Sequence, residues 1–499
     1  MTAEQNLAQA ILGQSKASIL MTDGYKFAMA QAGFPLREET FVLTLRKNGP
    51  FYIPLRFAEV IQNLIPDLPT VKEGAFLTAN GYGMTPAMEQ AITGKIRIWA
   101  APKGSWVMTG EPVLTITGPS FLVSWLEPLV IMLQYSIQIA TALVLGVRKF
   151  PAVCEDEVQI LRILENALGI KDMQISLDKS GYKTRVRENV KAVVDALGGD
   201  AHRAFEVGLR AATCMQQHLM ALEECRALGL LKTANVFGAW KLYMIPVGTT
   251  GHEHQERWGN DEDGFRAVRD MRPETPSYLF DTHDPIKIGL PAAFRVIEEQ
   301  PDRPCSLRFD SGDQDTQFKA IRGCCSQNTA KALFDAGLTT KLPPLRLRPN
   351  LIFEDGYTAE KTGVNEAFCE HWEWPRDLRM YGYGGFLISA PHPSPYHRDL
   401  VSAAYKLSWS NGPKRKFGKG KGSTPGRPII YRKIRDRGDI LPLSESFIAQ
   451  EGEELLGYLP LTEDTLDEVV SNPDSSDYSL ATQRLIDELT EKRDLQCKV

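Results

Sequence analysis

The sequence predicts an α/β fold: an irregular, TIM-like α/β barrel with an N-terminal α+β domain before it and a C-terminal extension after it. Three observations lead there. Within residues 1–149, strand-like runs are separated by turns and do not alternate regularly with helices, which marks an α+β unit. Within residues 150–391, segments of helical period such as ENVKAVVDALGG and CMQQHLMALEECRALG separate short apolar strands. Several of those strands end in Asp, His, Thr, Ser or Gly. Parallel strands joined by helices bring such ends to one face, where α/β barrels build their sites.

Composition sets the bounds. A chain of 499 residues is long enough for two or three domains with a sizeable core. A formal charge of −5 and a pI near 6 give no electrostatic reason to expect a nucleic-acid partner. The opening MTAEQNLAQAILGQ has neither a basic n-region nor a long apolar core, so no secretory signal is expected. The eight cysteines form no CxxC or CxxH ladder. Their adjacent pair, Cys324 and Cys325, is too close for an ordinary disulfide, so free thiols in a reducing cytoplasm are expected.

In the N-terminal domain, ETFVLTLRKNGPFYIP, GKIRIWAAPKGSWV and GEPVLTITG read as strands, with LRFAEVIQNLI helical between them. Leu129 to Val147, LVIMLQYSIQIATALVLGV, is uncharged and about long enough to cross a bilayer. Gln134, Ser136, Gln138 and Thr141 interrupt it and Glu127-Pro128 caps its start, so a helix buried in protein, with no membrane, is the expectation. In the barrel, LYMIPV runs into Gly248-Thr249-Thr250-Gly251-His252, YLF into Asp281-Thr282-His283-Asp284, SLRF into Asp310-Ser311-Gly312-Asp313, and LIF into Glu354-Asp355-Gly356. The last run, RMYGYGGFLI, carries Gly382, Gly384 and Gly385. In the extension, residues 392–499, which are expected to pack on the N-terminal domain, the basic PKRKFGKGKG of Pro413–Gly422 reads as a solvated hairpin tip. Its alternative is a mobile loop attracting polyphosphate. ATQRLIDELTEKRDLQ reads as an amphipathic, mostly exposed helix.

The chemistry concentrates at the strand ends. In RFDSGD, Asp310 and Asp313 flank a Ser311-Gly312 turn where backbone can approach a ligand. Two such carboxylates suit vicinal ribose hydroxyls, or Mg2+ travelling with a phosphate. Arg308 falls on the same side of the strand as Asp310, and its fork suits a planar carboxylate; the plain alternative is a surface ion pair. EDG and YGYGG offer backbone N–H groups that can hold a phosphate, though neither matches a P-loop or dinucleotide fingerprint. In GTTGHEHQERWG, HEH is not HExxH, which excludes a helical zinc-protease site. An HxH pair, with His283, Asp284 and Asp310 on later strand ends, could serve a metal-dependent barrel hydrolase through His252 and His254. Alternatively, a neutral His252 takes and releases a phosphoryl group, oriented by Glu253 or an outside carboxylate, and His254 is a bystander.

Taken in order, TDGYKFAMA, GEPVLTITGP, FEVGLRAA, TANV, GTTGHEH, LFDTHD, RFDSGD, EDG and YGYGG resemble the motif series of the nicotinate phosphoribosyltransferase family, through most of the chain. The resemblance implies an irregular α/β barrel beside an α+β domain, in a homodimer with active sites near the interface. It implies transfer from 5-phosphoribosyl 1-diphosphate to nicotinate with Mg2+, coupled to ATP hydrolysis through a phosphohistidine at His252. Asp310 stands where the family holds the ribose and its metal, so His252 and Asp310 are the catalytic candidates. Tyr25 matches the ring-stacking aromatic, which commonly reaches over from the partner subunit, and Arg308 the arginine near the ring's carboxyl group. Arg210 matches an arginine beside the diphosphate, and Gly356, Gly384 and Gly385 the phosphate cradle. Thr249, Ser311, Gly312, Asp313 and Asp355 complete the substrate-binding candidates.

Two departures stand out: Val207 occupies a position that is often Phe, and Ala211 one that is often Arg. Relatives that use nicotinamide carry an Asp near Ala234, so Ala234 with Arg308 favours nicotinate, with nicotinamide as the alternative.

Overall fold

The computed structural model describes residues 1–325, 345–416, 423–432, 446–450, 477–478 and 480–497. An antiparallel sheet forms from β1 (Glu38–Thr44), β2 (Arg97–Ala100) and β3 (Pro112–Pro119), where the sequence reading put strands. Helix α1 (Gly24–Ala32) precedes it and α2 (Glu127–Val144) follows it. Every residue of α2 from Glu127 to Ala140 is buried, so the apolar run that could have been a membrane span is a core helix.

Seven parallel strands then build the larger sheet: β4 (Ala204–Glu206), β5 (Lys232–Thr233), β6 (Ile245–Pro246), β7 (Ser277–Leu279), β8 (Ser306–Phe309), β9 (Asn350–Phe353) and β10 (Arg379–Tyr383). Their spatial order is β6-β5-β4-β10-β9-β8-β7. The sheet curls without closing, so the expected irregular barrel is a half-barrel. Strand β11 (Ala404–Ser410) returns to the first sheet and pairs antiparallel with β1, setting Lys406 opposite Val42.

Period-two alternation decides what each barrel strand offers. Leu307 and Phe309 of β8, Leu351 and Phe353 of β9, and Tyr381 and Tyr383 of β10 are buried in the core cluster. Phe309, Phe353 and Tyr381 stack in succession at centroid separations of 4.8 and 5.3 Å. Each such ring contributes roughly 1.5–3 kcal/mol by burial, which fixes strand register. The intervening residues, Ser306 and Arg308, Asn350 and Ile352, Met380 and Gly382, line the hollow side of the sheet. A one-residue slip would exchange the two sets, so the register that packs the aromatics also aims Arg308 inward.

The eight cysteines are all free thiols. Of the basic stretch 413–422, residues 417–422 lie outside the described residues.

Candidate active site

The hollow of the half-barrel is a cavity of about 950 Å³ at the C-terminal ends of the strands, extended down between them. The GTTG turn leads from β6 into helix α3 (His252–Trp258), with Gly251 at its N-cap. The turn lies against α1: a Cβ on Gly248 would come within 2.3 Å of the Tyr25 backbone nitrogen, so only glycine fits. His252 thus opens a helix pressed between the two sheets.

The imidazole of His252 is held at both nitrogens. Nε2 lies 2.8 Å from Asp310 Oδ2, and Nδ1 lies 3.1 Å from Thr282 Oγ1. Burial, reinforced by the Lys416 ammonium, lowers its pKa to about 3 despite Asp310. Burial opposes charge on Asp310, but the His252 hydrogen bond and the Arg308 and Lys416 cations outweigh it and hold that carboxyl well below its usual range. A neutral ring donating Nε2–H to ionised Asp310 and accepting at Nδ1 from Thr282 satisfies all three groups. The outside carboxylate is therefore Asp310. Glu253 turns away and accepts from the buried Lys26 at 2.8 Å. Lys26 also pairs with Glu127, which accepts from Tyr25 Oη at 2.8 Å.

His254 does not join His252. It is fully buried and its Nε2 donates to the Gly264 carbonyl at 2.9 Å, which removes the HxH metal pair. His283 bonds Asp261 at 3.0 Å, and Asp284 caps the turn that follows. The cluster fit for a cation, among the described residues, is His252, Asp281 and Asp310. Burial and the neighbouring Asp310 push Asp281 up to about 7, a repulsion that a divalent ion would relieve. Two carboxylates are hard oxygen donors suited to Mg2+.

Arg308 and Asp310 line the cavity together, as their alternation requires. The Arg308 fork is occupied, however. Nη1 donates to Thr249 Oγ1 at 3.1 Å and to the Thr250 carbonyl, while Nη2 donates to Glu354 Oε2 at 2.9 Å. The EDG turn was expected to leave its backbone unobstructed by side chains. Glu354 instead sends its carboxylate into the cavity, while Asp355 and Gly356 follow in left-handed conformations at φ 77° and 68°.

Tyr25, Arg210 and Thr249, then Asp355, Gly356, Gly384 and Gly385, all face the same cavity. Tyr25 lines the cavity of its own chain, and its neighbour Lys26 ties α1 to Glu127 and Glu253. Val207, Ala211 and Ala234 also line it. Ser311, Gly312 and Asp313 do not. Ser311 donates to Asp281, Gly312 makes the turn at φ 80°, and exposed Asp313 caps the following helix Gln314–Cys324 by accepting from Thr316. The two carboxylates of RFDSGD therefore have separate tasks.

Sequence reasoning missed a wall of cations: Arg46, Arg398, Lys406 and Lys416 face the cavity along with Arg210. Lys416, part of the run read as a solvated tip or else a loop attracting polyphosphate, is only 4% exposed. Arg46 Nη2 is buried without a hydrogen-bond partner among the described residues. Burial lowers Lys406 to about 7; Lys416, Arg210 and Arg46 add to this, and Glu127 opposes it. So many cations facing one space point to a polyanionic ligand.

No protein-family model matches the chain. It is 26% identical to a nicotinate phosphoribosyltransferase of Bacillus subtilis over 269 residues, 51% of this chain and 47% of that protein. That match thus spans about half of the relative's length. It is 24% identical over 477 residues to a nicotinate phosphoribosyltransferase of Bos taurus, covering 89% of this chain and 82% of that protein. The solved nicotinate phosphoribosyltransferase of Porphyromonas gingivalis superposes with a TM-score of 0.51 at 16% identity, over 91% of this chain and 99% of that one. That of Vibrio cholerae gives 0.51 at 15%, over 82% and 90%. At such identities the structural likeness is one of fold. Ordered motifs, sequence relatives and shared fold agree in making the chain similar to nicotinate phosphoribosyltransferases.

Proposed function

We propose that this chain joins nicotinate to 5-phosphoribosyl 1-diphosphate, giving nicotinate mononucleotide and diphosphate, as a salvage step in NAD biosynthesis. ATP hydrolysis is coupled to it through phosphorylation of His252. The observation that carries this reading is convergence: a neutral, carboxylate-held imidazole, an arginine–carboxylate pair and five cations share one cavity.

In the transfer, the pyridine nitrogen forms a bond to the anomeric carbon while the bond to the diphosphate oxygen breaks. Positive charge grows on the ribose and negative charge on the leaving group. Arg210 and the lysine wall stabilise the diphosphate, and the ionised Asp310 stabilises the sugar side. Tyr25 and Arg308 fix the ring so that its nitrogen faces the carbon. No general base is required, because that nitrogen carries no proton at neutral pH. Asp281 and Asp310 would hold Mg2+, which supplies charge neutralisation to the phosphates.

In the coupled step, the γ-phosphoryl group of ATP passes to the imidazole as the bond to ADP breaks. Burial keeps the ring neutral, so the Nδ1 lone pair, once Thr282 releases it, bonds to phosphorus while the ring proton stays at Nε2 on Asp310. The phosphoryl charge then sits against Lys416 and reorganises the GTTG turn to tighten phosphoribosyl diphosphate binding. We place the protein in the cytoplasm, as a homodimer.

Incubation with γ-labelled ATP tests the coupling. The reading requires an acid-labile, base-stable adduct that disappears in His252→Asn; persistence of the adduct in that variant would place the label elsewhere. A metal-dependent hydrolase is the second reading, favoured by the His252–Asp281–Asp310 cluster. It requires tightly bound Zn2+ or Fe2+ in the purified protein and activity without ATP.

A further inference from the structure

Glu127, read from the sequence only as the start of the apolar helix, reaches the cavity between two of the substrate-binding candidates. It opens α2, is 3% exposed and lines the cavity together with Tyr25 and Arg210. Its Oε2 accepts from Tyr25 Oη at 2.8 Å and from the Lys26 ammonium. Its Oε1 lies 3.6 Å from Arg210 Nη1. At that distance the guanidinium is ion-paired without a hydrogen bond, which leaves its N–H groups for a ligand. Burial opposes charge on Glu127, but Lys26, Lys406 and Arg210 outweigh it and hold the carboxyl well below its usual range. Lys26 alone would serve to neutralise a buried carboxylate. The contacts to Tyr25 and Arg210 do something more: they make the ring-stacking candidate and the diphosphate candidate share one negative charge.

We propose that Glu127 is a positioning residue that couples the two substrate sites: through its one carboxylate, a diphosphate at Arg210 and a pyridine ring at Tyr25 bind more tightly together than apart. The proposal rests on the reading that the ring docks against Tyr25 and the diphosphate against Arg210. In the unliganded protein both side chains draw on the same carboxylate. A diphosphate on Arg210 takes over part of the guanidinium's pairing. The carboxylate then turns more fully to the Tyr25 hydroxyl, and that charge-assisted bond strengthens. Tyr25 is fixed before the ring arrives, so less side-chain freedom is lost when the ring stacks on it. By linkage, the ring tightens diphosphate binding by the same factor. Glu127 acts through these two side chains.

The test is calorimetric titration of the whole protein with nicotinate, alone and with saturating inorganic diphosphate and Mg2+, a pair of ligands that cannot react with each other. In the wild type, diphosphate lowers the Kd for nicotinate at least about fivefold, and nicotinate lowers the Kd for diphosphate equally. Tyr25→Phe keeps the ring but removes the hydroxyl that reaches Glu127. Glu127→Gln keeps the shape but removes the charge. In both variants the coupling factor falls below about twofold. A merely structural role for Glu127 would weaken both ligands and leave that factor unchanged. Should Glu127→Gln not fold, Tyr25→Phe decides. A smaller wild-type factor, or a factor of about twofold or more in a folded variant, overturns the role of Glu127 alone. Failure of nicotinate or diphosphate to bind the wild type overturns the reading of the site on which the proposal rests.

Discussion

His252 Nε2 lies 2.8 Å from Asp310 Oδ2, two residues 58 positions apart in sequence, joined across the mouth of the half-barrel from strands near its opposite edges. This contact turns two separate motifs into one device. The carboxylate fixes the ring's tautomer and faces the space where a phosphorylated sugar would sit. Asp310→Asn keeps the shape but loses the charge that orients and supports the imidazole. It is expected to reduce labelling of His252 by ATP on the order of 10²-fold or more. Labelling at the wild-type rate in a folded Asp310→Asn protein would separate the two residues functionally.

Lys406 makes a pH prediction. Held at about 7, its amine is half-charged at neutral pH in the unliganded protein. A bound polyanion favours the charged form, so binding takes up a proton, and affinity weakens as pH rises from 7 towards 9. The slope approaches about tenfold per pH unit for one proton. Calorimetric titration of 5-phosphoribosyl 1-diphosphate in buffers of different ionisation enthalpy reads the proton directly. Lys406→Met should bind more weakly at pH 6.5 and lose most of this pH dependence.

Lys26 is 1% exposed and lies between Glu127 and Glu253. Lys26→Met leaves two buried carboxylates without their shared cation, a change that costs about 3–5 kcal/mol. The midpoint of urea unfolding should fall accordingly. Glu253 follows His252 directly, so the variant should also loosen the turn that carries the imidazole. An unchanged midpoint would show that the triad contributes nothing to stability.

A Cβ on Gly382 would lie 2.7 Å from Glu354 Cγ and 2.9 Å from the Phe205 ring. Gly382→Ala must displace one of them, at about 1–3 kcal/mol of overpacking. The expected signature is a raised KM for the pyridine ring, with little change for 5-phosphoribosyl 1-diphosphate. Equal effects on both substrates would mean that the ring does not occupy this end of the cavity.

Legibility in the sequence followed the reach of each physical signal. The parallel strands announced themselves by short apolar runs ending in polar turns, and period two aimed Arg308 and Asp310 to one side. Asp313 looked equivalent to Asp310 because spacing alone does not distinguish a ligand from a helix cap; its bonds to Thr316 do. Glu354 was hidden in an EDG turn read for the backbone of its glycine. Lys406 sits in AAYKLSWS, where an alternating polar residue fits a solvated face equally well, and its orientation became visible only when β11 paired with β1. The cation wall draws on residues from 46 to 416, and no local pattern records such a convergence. His254 could not be separated from His252 until helix α3 turned it towards Gly264.

The central claim is the transfer itself, and a product assay addresses it most directly. Purified protein is incubated with nicotinate, 5-phosphoribosyl 1-diphosphate and Mg2+, with and without ATP, and the products are separated chromatographically. The account predicts nicotinate mononucleotide and diphosphate in equal amounts, formed faster with ATP, and neither product from Arg308→Ala above about one hundredth of the wild-type rate. A folded wild-type protein that forms no mononucleotide under either condition would contradict it.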